Sequence, residues 1–422
     1  MSLDDSATAE HSAPATGLAA YREVMRTPGA WPIAIASLIA RVPNAMTGVA
    51  LVLFLHEETG SFASAGLVTG ALVIGMGGTG PLLARQIDRR GAPIVLLLGG
   101  LFASAALVAI VALGRAGAGP GDLAALAVVA GGAMPPIGSV ARRRWAGLVP
   151  AERLPTAYAV EAILLEVIFI AGPALAGLLA GTLGAGDALL LAAGIGAVGA
   201  IWIAALVGSV DRAGDAPRRP ERHRAGALRF PLVRLLVATG LLMGASVGAL
   251  EIALPAFGAA HGNAALGGPY GAVMGVGSLV CGAIYGARSG SFGTPGRSLI
   301  TLTVLQGLTC VPMLLIDGTV AMFPAALLAG AFWAPMNTVR SRLIQARVEG
   351  SAVIEAFTWD GLAETVGASV SLAAVGPLIA SQGWRAGVVV ACAVPFLGAL
   401  VAFLGRQSAE PPPIAPRPAA SG

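Results

Sequence analysis

Long apolar runs alternate with short charged or Gly/Pro-rich joints along most of the chain. We count twelve such runs, and each is close to the ~20 residues that an α-helix needs to cross a bilayer. Their approximate bounds are 30–55, 63–84, 93–114, 122–141, 156–181, 187–209, 231–258, 267–287, 297–317, 322–340, 355–380 and 386–405. The pattern predicts an all-α integral membrane protein with twelve transmembrane helices, called spans 1 to 12 below.

The composition supports burial in a bilayer. Hydrophobic residues make up 56% of the 422 residues and charged residues only 11%, whereas a soluble domain has about 25% charged residues. Residues 1–29 begin with a polar, acidic stretch that lacks a basic n-region, so we expect a disordered cytoplasmic tail and not a cleaved signal peptide. Residues 406–422 predict a second cytoplasmic tail.

The arginines predict the orientation of the spans. All 26 basic residues are Arg, and basic residues concentrate in the cytoplasmic joints of membrane proteins. If the chain starts in the cytoplasm, all but three arginines fall in cytoplasmic segments, including Arg340 at the end of span 10. Arg115 and Arg385 fall in external joints, and Arg41 lies inside span 1. We therefore expect a multi-pass protein of the cell membrane, of bacterial inner-membrane type, with both termini in the cytoplasm.

The two halves of the chain repeat each other. Pro32 and Pro231 open spans 1 and 7, and Pro136 and Pro335 end the apolar runs of spans 4 and 10; both pairs are 199 residues apart. The repeat predicts two six-helix bundles, 30–209 and 231–405, joined by a cytoplasmic Arg- and Pro-rich linker, 210–230. Six plus six spans from one unit are typical of secondary transporters, whose substrate site lies near midplane between the halves.

The joint between spans 2 and 3 carries a short charged motif, ARQIDRRG at 84–91. It resembles the loop signature of the major facilitator superfamily, roughly G-x-L-x-D-R-x-G-R-R, at Asp88, Arg89 and Gly91. The resemblance implies two pseudo-symmetric bundles and a cytoplasmic latch between them. The alternative is that the arginines only enforce topology. The latch would comprise Arg85, Asp88, Arg89, Arg90 and Gly91.

Span 5 contains a Gly-Pro element. Gly172, Pro173 and Gly177 resemble the Gly-Pro-x-x-Gly-Gly element of the superfamily's antiporter branches, and Gly376-Pro377 in span 11 repeats its start, 204 residues later. Proline removes a backbone hydrogen bond, so we expect a break or kink in both helices. Ordinary close packing of helices through small residues is the alternative explanation.

Several charged residues lie inside apolar spans, where a carboxylate or guanidinium has a high insertion cost. Arg41 in span 1 needs an acid nearby, and Glu161 and Glu166 in span 5 are the candidates. The other acids are Glu251 in span 7 and Asp360 and Glu364 in span 11. Acids in excess of arginine must be protonated or titrate, which is the requirement for proton coupling. The alternative is structural: one Glu pairs with Arg41, and the remaining acids are protonated or hydrogen-bonded to backbone.

Polar and aromatic residues within the spans are candidates for a substrate cavity: Asn44, Thr47, Ser139, Ser246, Asn337, Thr338 and Trp359. We expect proton-coupled export of a small apolar or cationic compound by alternating access. One alternative is proton-coupled import of a sugar or organic acid, in which Arg41 binds the anion. A receptor or membrane enzyme is a third, but the sequence carries no catalytic cluster. We expect no cofactor, metal or nucleic acid; the partners would be a small-molecule substrate, protons and lipid, and the protein a monomer.

Overall fold

The structure is a computed structural model that describes residues 18–211, 226–287, 294–349 and 352–409. These ranges are helical almost throughout and contain no strand. Twelve of their segments are long and apolar enough to cross a membrane. The predicted all-α fold class with twelve spans is confirmed.

The helices of the first half follow one another with very short joints. Glycines with positive φ, which other residues rarely adopt, separate spans 1 and 2 at Gly60 and spans 2 and 3 at Gly91. The helices are Ala30–Thr59 (span 1), Phe62–Arg90 (span 2), Ala92–Arg115 (span 3), Pro120–Ala133 with Ile137–Leu148 (span 4), Leu154–Leu183 (span 5) and Ala185–Asp211 (span 6).

The second half repeats this arrangement. Its helices are Pro231–Ala260 (span 7), Gly267–Ala287 (span 8), Pro295–Cys310 continued by the 3₁₀ turn Val311–Leu315 (span 9), Thr319–Gly330 with Trp333–Arg347 (span 10), Ala352–Gln382 (span 11) and Trp384–Leu404 (span 12). Spans 4 and 10 are each interrupted once. The expected break in spans 5 and 11 is absent, because Pro173 and Pro377 both lie inside continuous helices.

The region before span 1 differs from the predicted disordered tail. Leu18–Met25 forms a helix; its Val24 is fully buried in a cluster with Trp145 and Val149. Glu23 also forms an ion pair with Arg153. A short helix thus packs on the joint between spans 4 and 5. The other parts of the predicted tails, 1–17 and 410–422, and residues 212–225 of the predicted linker lie outside the described residues.

The two halves meet along two helix pairs, spans 2 and 11 and spans 5 and 8. At the first pair Gly66 lies against the Leu372 carbonyl, and Ser369 Oγ donates to the Gly70 carbonyl at 2.6 Å. At the second pair Gly268 lies against the Pro173 carbonyl. Small residues permit this backbone approach. Beside them, the outer part of span 7 contacts spans 1 and 2. We call all these contacts, which run from the Arg-poor end to about mid-depth, the seam.

Toward the Arg-rich end the halves diverge. Gly80 and Gly361 continue the seam faces of spans 2 and 11, yet a Cβ built on either would meet nothing within 4 Å. On span 5 the same face continues into Ile163, which is 51% exposed. The halves therefore enclose a cleft that opens at the Arg-rich end and is closed by the seam at the other.

The packing also corrects the register of the repeat in spans 5 and 11. Gly376 lies against Phe62 and Ala63 of span 2, whereas Gly177 lies against Ala265 and Gly268 at the start of span 8. Gly172 faces a different neighbour, Ala45 of span 1. By its contacts Gly376 corresponds to Gly177, so the offset of 199 also holds in span 11 and the offset of 204 does not mark equivalent positions.

Close backbone packing inside a half predicts a stability effect. A Cβ at Gly131 of span 4 would collide with the Leu72 carbonyl of span 2, so we expect Gly131→Ala to destabilise the protein by about 1–3 kcal/mol through strain. Gly194→Ala is the matched control, because a Cβ there meets nothing within 4 Å and alanine favours a helix. Thermal unfolding followed by tryptophan fluorescence should show a lower midpoint for Gly131→Ala alone; equal midpoints would contradict this packing.

Candidate functional site

Arg41 and Glu161 form a buried ion pair between spans 1 and 5. The guanidinium Nη1 lies 2.7 Å from Glu161 Oε1, and the two side chains are only 9% and 4% exposed. Trp145 Nε1 donates to the other carboxylate oxygen, Glu161 Oε2, at 3.1 Å. The guanidinium rests on Gly138 of span 4, where no Cβ stands in its way. Of the two acids predicted as partners of Arg41, the structure selects Glu161.

A second buried arginine, Arg340, corrects the sequence prediction. The distribution of arginines predicts a cytoplasmic position for it at the end of span 10, but the helix continues to Arg347 and Arg340 is 1% exposed. It forms an ion pair with Asp360 of span 11 and donates to Thr239 Oγ1 and the Leu236 carbonyl of span 7, both at 2.9 Å. The second half therefore also contains a buried arginine–acid pair.

The repeat relates the two buried ion pairs, Arg41–Glu161 and Arg340–Asp360, except that the arginine is carried by a different helix in each half. Glu161 and Asp360 are 199 residues apart, as are Arg41 and Gly240, and Ala141 and Arg340. Arg41 extends from span 1 onto a glycine of span 4, whereas Arg340 extends from span 10 onto Gly240 of span 7. Each half thus binds its acid with a guanidinium, but the arginine comes from the opposite member of the equivalent helix pair.

Glu364 is an acid of the second half that has no equivalent acid in the first half. Its Oε1 lies 3.6 Å from Arg340 Nε, beyond hydrogen-bond distance, and its side chain is 22% exposed. With the amide of Asn337 oriented by the hydrogen-bond network, Asn337 donates to Glu364 Oε1 and accepts from Trp333 Nε1, both at 3.2 Å. Glu364 is therefore held by an amide and shares an arginine that Asp360 already binds.

Glu166 lies on the cleft face of span 5. It stands one turn before Ile170, which contacts Gly275 of span 8, and residues four apart share a helix face. Its side chain is half-buried and makes no hydrogen bond or ion pair with a described residue. Glu166 therefore borders the cleft immediately below the seam.

Glu251 lies within the seam. Its carboxyl group packs on Gly48 of span 1, in the opposite half. The next residue, Ile252, packs against Gly66 of span 2. Among the described residues the carboxyl group has no hydrogen-bond or ion-pair partner. Of the five acids expected inside the spans, this one alone contacts the other half directly in the closed region.

Several residues predicted for a cavity between the halves have other surroundings. Thr47 is buried and donates to the Pro43 carbonyl at 2.7 Å, and buried Ser246 donates to the Ala391 carbonyl of span 12 at 2.8 Å. Asn44 lines a cavity of about 30 Å³ inside the first half, beside spans 3, 4 and 6. The side chains of Thr47, Ser246 and Asn44 therefore make their contacts inside their own bundles.

The other predicted cavity residues make local contacts. Ser139 is exposed and donates to the Pro136 carbonyl at 2.9 Å, and Thr338 donates to the Ala334 carbonyl at 2.9 Å. Trp359 Nε1 donates to Glu355 Oε1 at 3.2 Å. Of the predicted set, Asn337 is the residue that contacts Glu364 directly. Glu364 follows Gly361 by three residues, so it shares the face of span 11 that borders the cleft.

The predicted latch lies at the open end of the cleft. Arg85, Arg89 and Arg90 are exposed, and none forms an ion pair with another described residue. Gly91 ends span 2 with φ +86°. The side chain of Asp88 lies outside the described part of the structure, so the latch stays a prediction.

Twelve membrane-spanning helices in two six-helix halves define the fold of a membrane transporter. The chain belongs to the Major Facilitator Superfamily, whose family model matches residues 33–354. The uncharacterised MFS-type transporter y4rN of Sinorhizobium fredii is 24% identical over 334 residues, which cover 78% of this chain and 82% of the relative.

Solved structures show the same fold at low sequence identity. A bacterial homologue of the iron transporter ferroportin, in an inward-facing state, has a TM-score of 0.69 at 16% identity and covers 90% of this chain and 99% of its own. A variant of the nucleoside transporter NupG has a TM-score of 0.70 at 13% identity, with 89% and 99% covered. A POT family transporter in complex with 5-aminolevulinic acid has a TM-score of 0.68 at 12% identity, with 90% and 96% covered.

The buried pair Arg41–Glu161 predicts a stability effect with a characteristic rescue. Arg41→Met leaves Glu161 buried without its cation, which costs about 3–5 kcal/mol when one partner of a buried pair is removed. Adding Glu161→Gln to Arg41→Met removes the remaining charge, so we expect most of the lost thermal stability to return. Both are measured as unfolding midpoints in one detergent.

The control for this pair is Arg115→Met. Arg115 pairs with Asp187 at 2.8 Å, but both side chains are about half exposed, and exposed pairs contribute little. Its midpoint should stay near that of the parent protein. Identical midpoints for Arg41→Met and the double variant would show that Glu161 does not need its arginine.

Proposed function

We propose that this protein couples proton movement to the export of a small apolar or cationic compound by alternating access. It would reside in a bacterial inner membrane with both termini in the cytoplasm, acting as a monomer. The observation that carries the proposal is the charge distribution around the cleft. Both buried arginines are bound by an acid of their own half, and two further acids, Glu166 and Glu364, border the cleft.

The cleft therefore has an excess of carboxyl groups over guanidinium groups. Arg41 binds Glu161 and Arg340 binds Asp360, which leaves Glu166 and Glu364 without a cation of their own. A carboxylate at membrane depth is costly to leave charged and unpaired. These two acids are therefore suited to bind either a proton or a cationic group of a substrate, and exchange between the two is the chemistry of an antiporter.

The same distribution argues against an organic acid as the substrate. In that alternative Arg41 would bind the anion, but its guanidinium is bound to Glu161 at 2.7 Å and its side chain is 9% exposed. Arg340 is enclosed by Asp360, Thr239 and the Leu236 carbonyl. An anion would have to displace a carboxylate from a buried pair and leave that carboxylate unpaired, a loss of several kcal/mol.

The direction of opening fits loading from the cytoplasm. With the proposed orientation, the seam closes the external end and the cleft opens to the cytoplasm, where a compound to be exported would enter. Rocking one bundle against the other would open the seam and close the cytoplasmic end. There the exposed Arg85, Arg89 and Arg90, with Asp88, would form the latch at helix ends.

Proton coupling is tested by substituting the two cleft acids. In proteoliposomes with an imposed pH gradient, we expect Glu166→Gln and Glu364→Gln each to lower substrate-linked proton flux at least tenfold, because an amide cannot release a proton. Glu349→Gln is the matched control, since Glu349 is an exposed acid at the Arg-rich end. If neither variant changes the proton flux or its pH dependence, the coupling assignment fails.

The substrate class is tested by a thermal-shift screen that contains amphipathic cations, neutral sugars and carboxylates. We expect stabilisation by apolar or cationic compounds, and a loss of the cation response in Glu364→Gln with the response to neutral compounds retained. The screen also contains Arg41→Ala. Stabilisation by carboxylates that disappears selectively in Arg41→Ala would support the import of organic acids instead.

A further inference from the structure

Glu251 lies on the outer part of span 7, where the two halves touch. Its carboxyl group rests on Gly48 of span 1, and Ile252 beside it reaches Gly66 of span 2 within 3.0 Å of the Cβ position of that glycine. The outer part of span 7 is thus wedged between two helices of the opposite half. A side chain on Gly48 would occupy the volume that the carboxyl group fills.

This carboxyl group has no polar partner among the described residues. The nearby polar contacts are used elsewhere: Ser369 donates across the seam to the Gly70 carbonyl, and Ser246 donates to the Ala391 carbonyl. The side chain of Glu251 is partly exposed. Held between helices of a membrane protein without a cation or hydrogen-bond donor, an ionised carboxylate still costs more free energy than a neutral carboxyl group. The closed seam therefore accepts the protonated form of Glu251 better than the ionised form.

The helices packed on this part of span 7 bring few titratable groups toward Glu251. Span 2 contributes none between Phe62 and Gly80. On span 1 the nearest lie seven and eight residues from Gly48, or ~10–12 Å along the helix, and on span 11 the nearest acid, Glu364, packs its backbone on Gly244, seven residues before Glu251. The groups concerned are Arg41 and His56 on span 1, Asp360 and Glu364 on span 11, Tyr270 on span 8 and Cys392 on span 12.

We propose that Glu251 is a proton-binding site of the outer seam and that its protonation lets the two halves close there. When the seam opens, Glu251 faces external water and can ionise; when it closes, the carboxyl group must carry its proton. This assigns the control of external closure to span 7 and separates it from the cleft acids, Glu166 and Glu364. The inference uses the orientation of the proposed function but neither its substrate nor its flux.

The sign of the pH dependence follows from this arrangement. Protons stabilise the closed seam, so acid pH should increase the population that is closed outside and open inside. If one proton is bound per closure, the ratio of closed to open molecules changes by up to about tenfold per pH unit in the titrating range. Neutral glutamine at position 251 should keep the seam closed at every pH.

The test measures the distance across the outer end. Thr182 of span 5 and Ser381 of span 11 are exposed, lie in opposite halves and occupy equivalent positions 199 residues apart. Spin labels are attached to Thr182→Cys and Ser381→Cys after the three native cysteines are replaced by alanine. Distance distributions are recorded in nanodiscs over a pH series, without substrate, for the parent and for variants at position 251.

We expect the parent to shift from long to short distances as pH falls, and Glu251→Gln to give the short distance throughout. Glu251→Asp keeps a titratable group and should keep a pH dependence, while Glu58→Gln, an exposed acid at the same end, should match the parent. A Glu251→Gln protein that follows the parent's pH dependence, or a parent with no pH dependence, overturns the proposal. Since no flux is measured, loss of proton coupling in the cleft acids would not imitate either result.

Discussion

A buried charge needs a partner, and this requirement shapes the interior of both halves. In a bilayer an unpaired guanidinium or carboxylate costs several kcal/mol, and Arg41 and Arg340 are each bound to an acid on a neighbouring span. Each guanidinium also lies on a glycine, which leaves room for it between packed helices. The pairs join span 1 to span 5 and span 10 to span 11, so electrostatics and packing fix the same helices.

The exchange of the arginine between equivalent helices shows what the repeat preserves. A guanidinium at this depth can form an ion pair with the acid from either of the two equivalent helices. This is possible because the long arginine side chain extends across a glycine on the other helix. The outer ends show the same exchange: Arg115 of span 3 pairs with Asp187 at the start of span 6, whereas Asp317 after span 9 pairs with Arg385 at the start of span 12. Both halves place the ion pair at the same position, but the arginine comes from a different helix in each half.

Hydropathy and repeat spacing were sufficient to predict twelve spans and two halves, because long apolar runs have few alternatives in a membrane. Hydropathy alone does not place Arg340 inside the bundle, because the polar stretch NTVRSR at 337–342 lowers the local hydropathy and ends the apolar run there. Extended to span 11, the 199-residue offset pairs Glu161 with Asp360, and two acids four residues apart in span 11 need a cation. That need was the signal that could have placed Arg340 inside the bundle.

The sequence could not tell which polar residues face the cleft. Thr47, Ser246 and Asn337 are all polar residues inside apolar spans, yet the first two satisfy backbone carbonyls within their own half and only Asn337 meets a cleft acid. Direction on a helix depends on the packing of all twelve spans, and polarity alone does not encode it. The role of the Gly-Pro elements was also not predictable from the sequence alone. Pro173 lies inside a continuous helix, and its carbonyl packs against Gly268 in the seam.

The acids of this protein fall into three environments, and the difference between them argues for a division of labour. Glu161 and Asp360 are neutralised inside their own bundles, where motion of one half against the other leaves their arginines in place. Glu166 and Glu364 border the cleft, whose width changes when the halves rock. Glu251 touches the opposite half, so its surroundings change most between a closed and an open seam. A carboxyl group can couple a proton to movement only if movement alters its surroundings, and by that criterion the last three can act and the first two cannot.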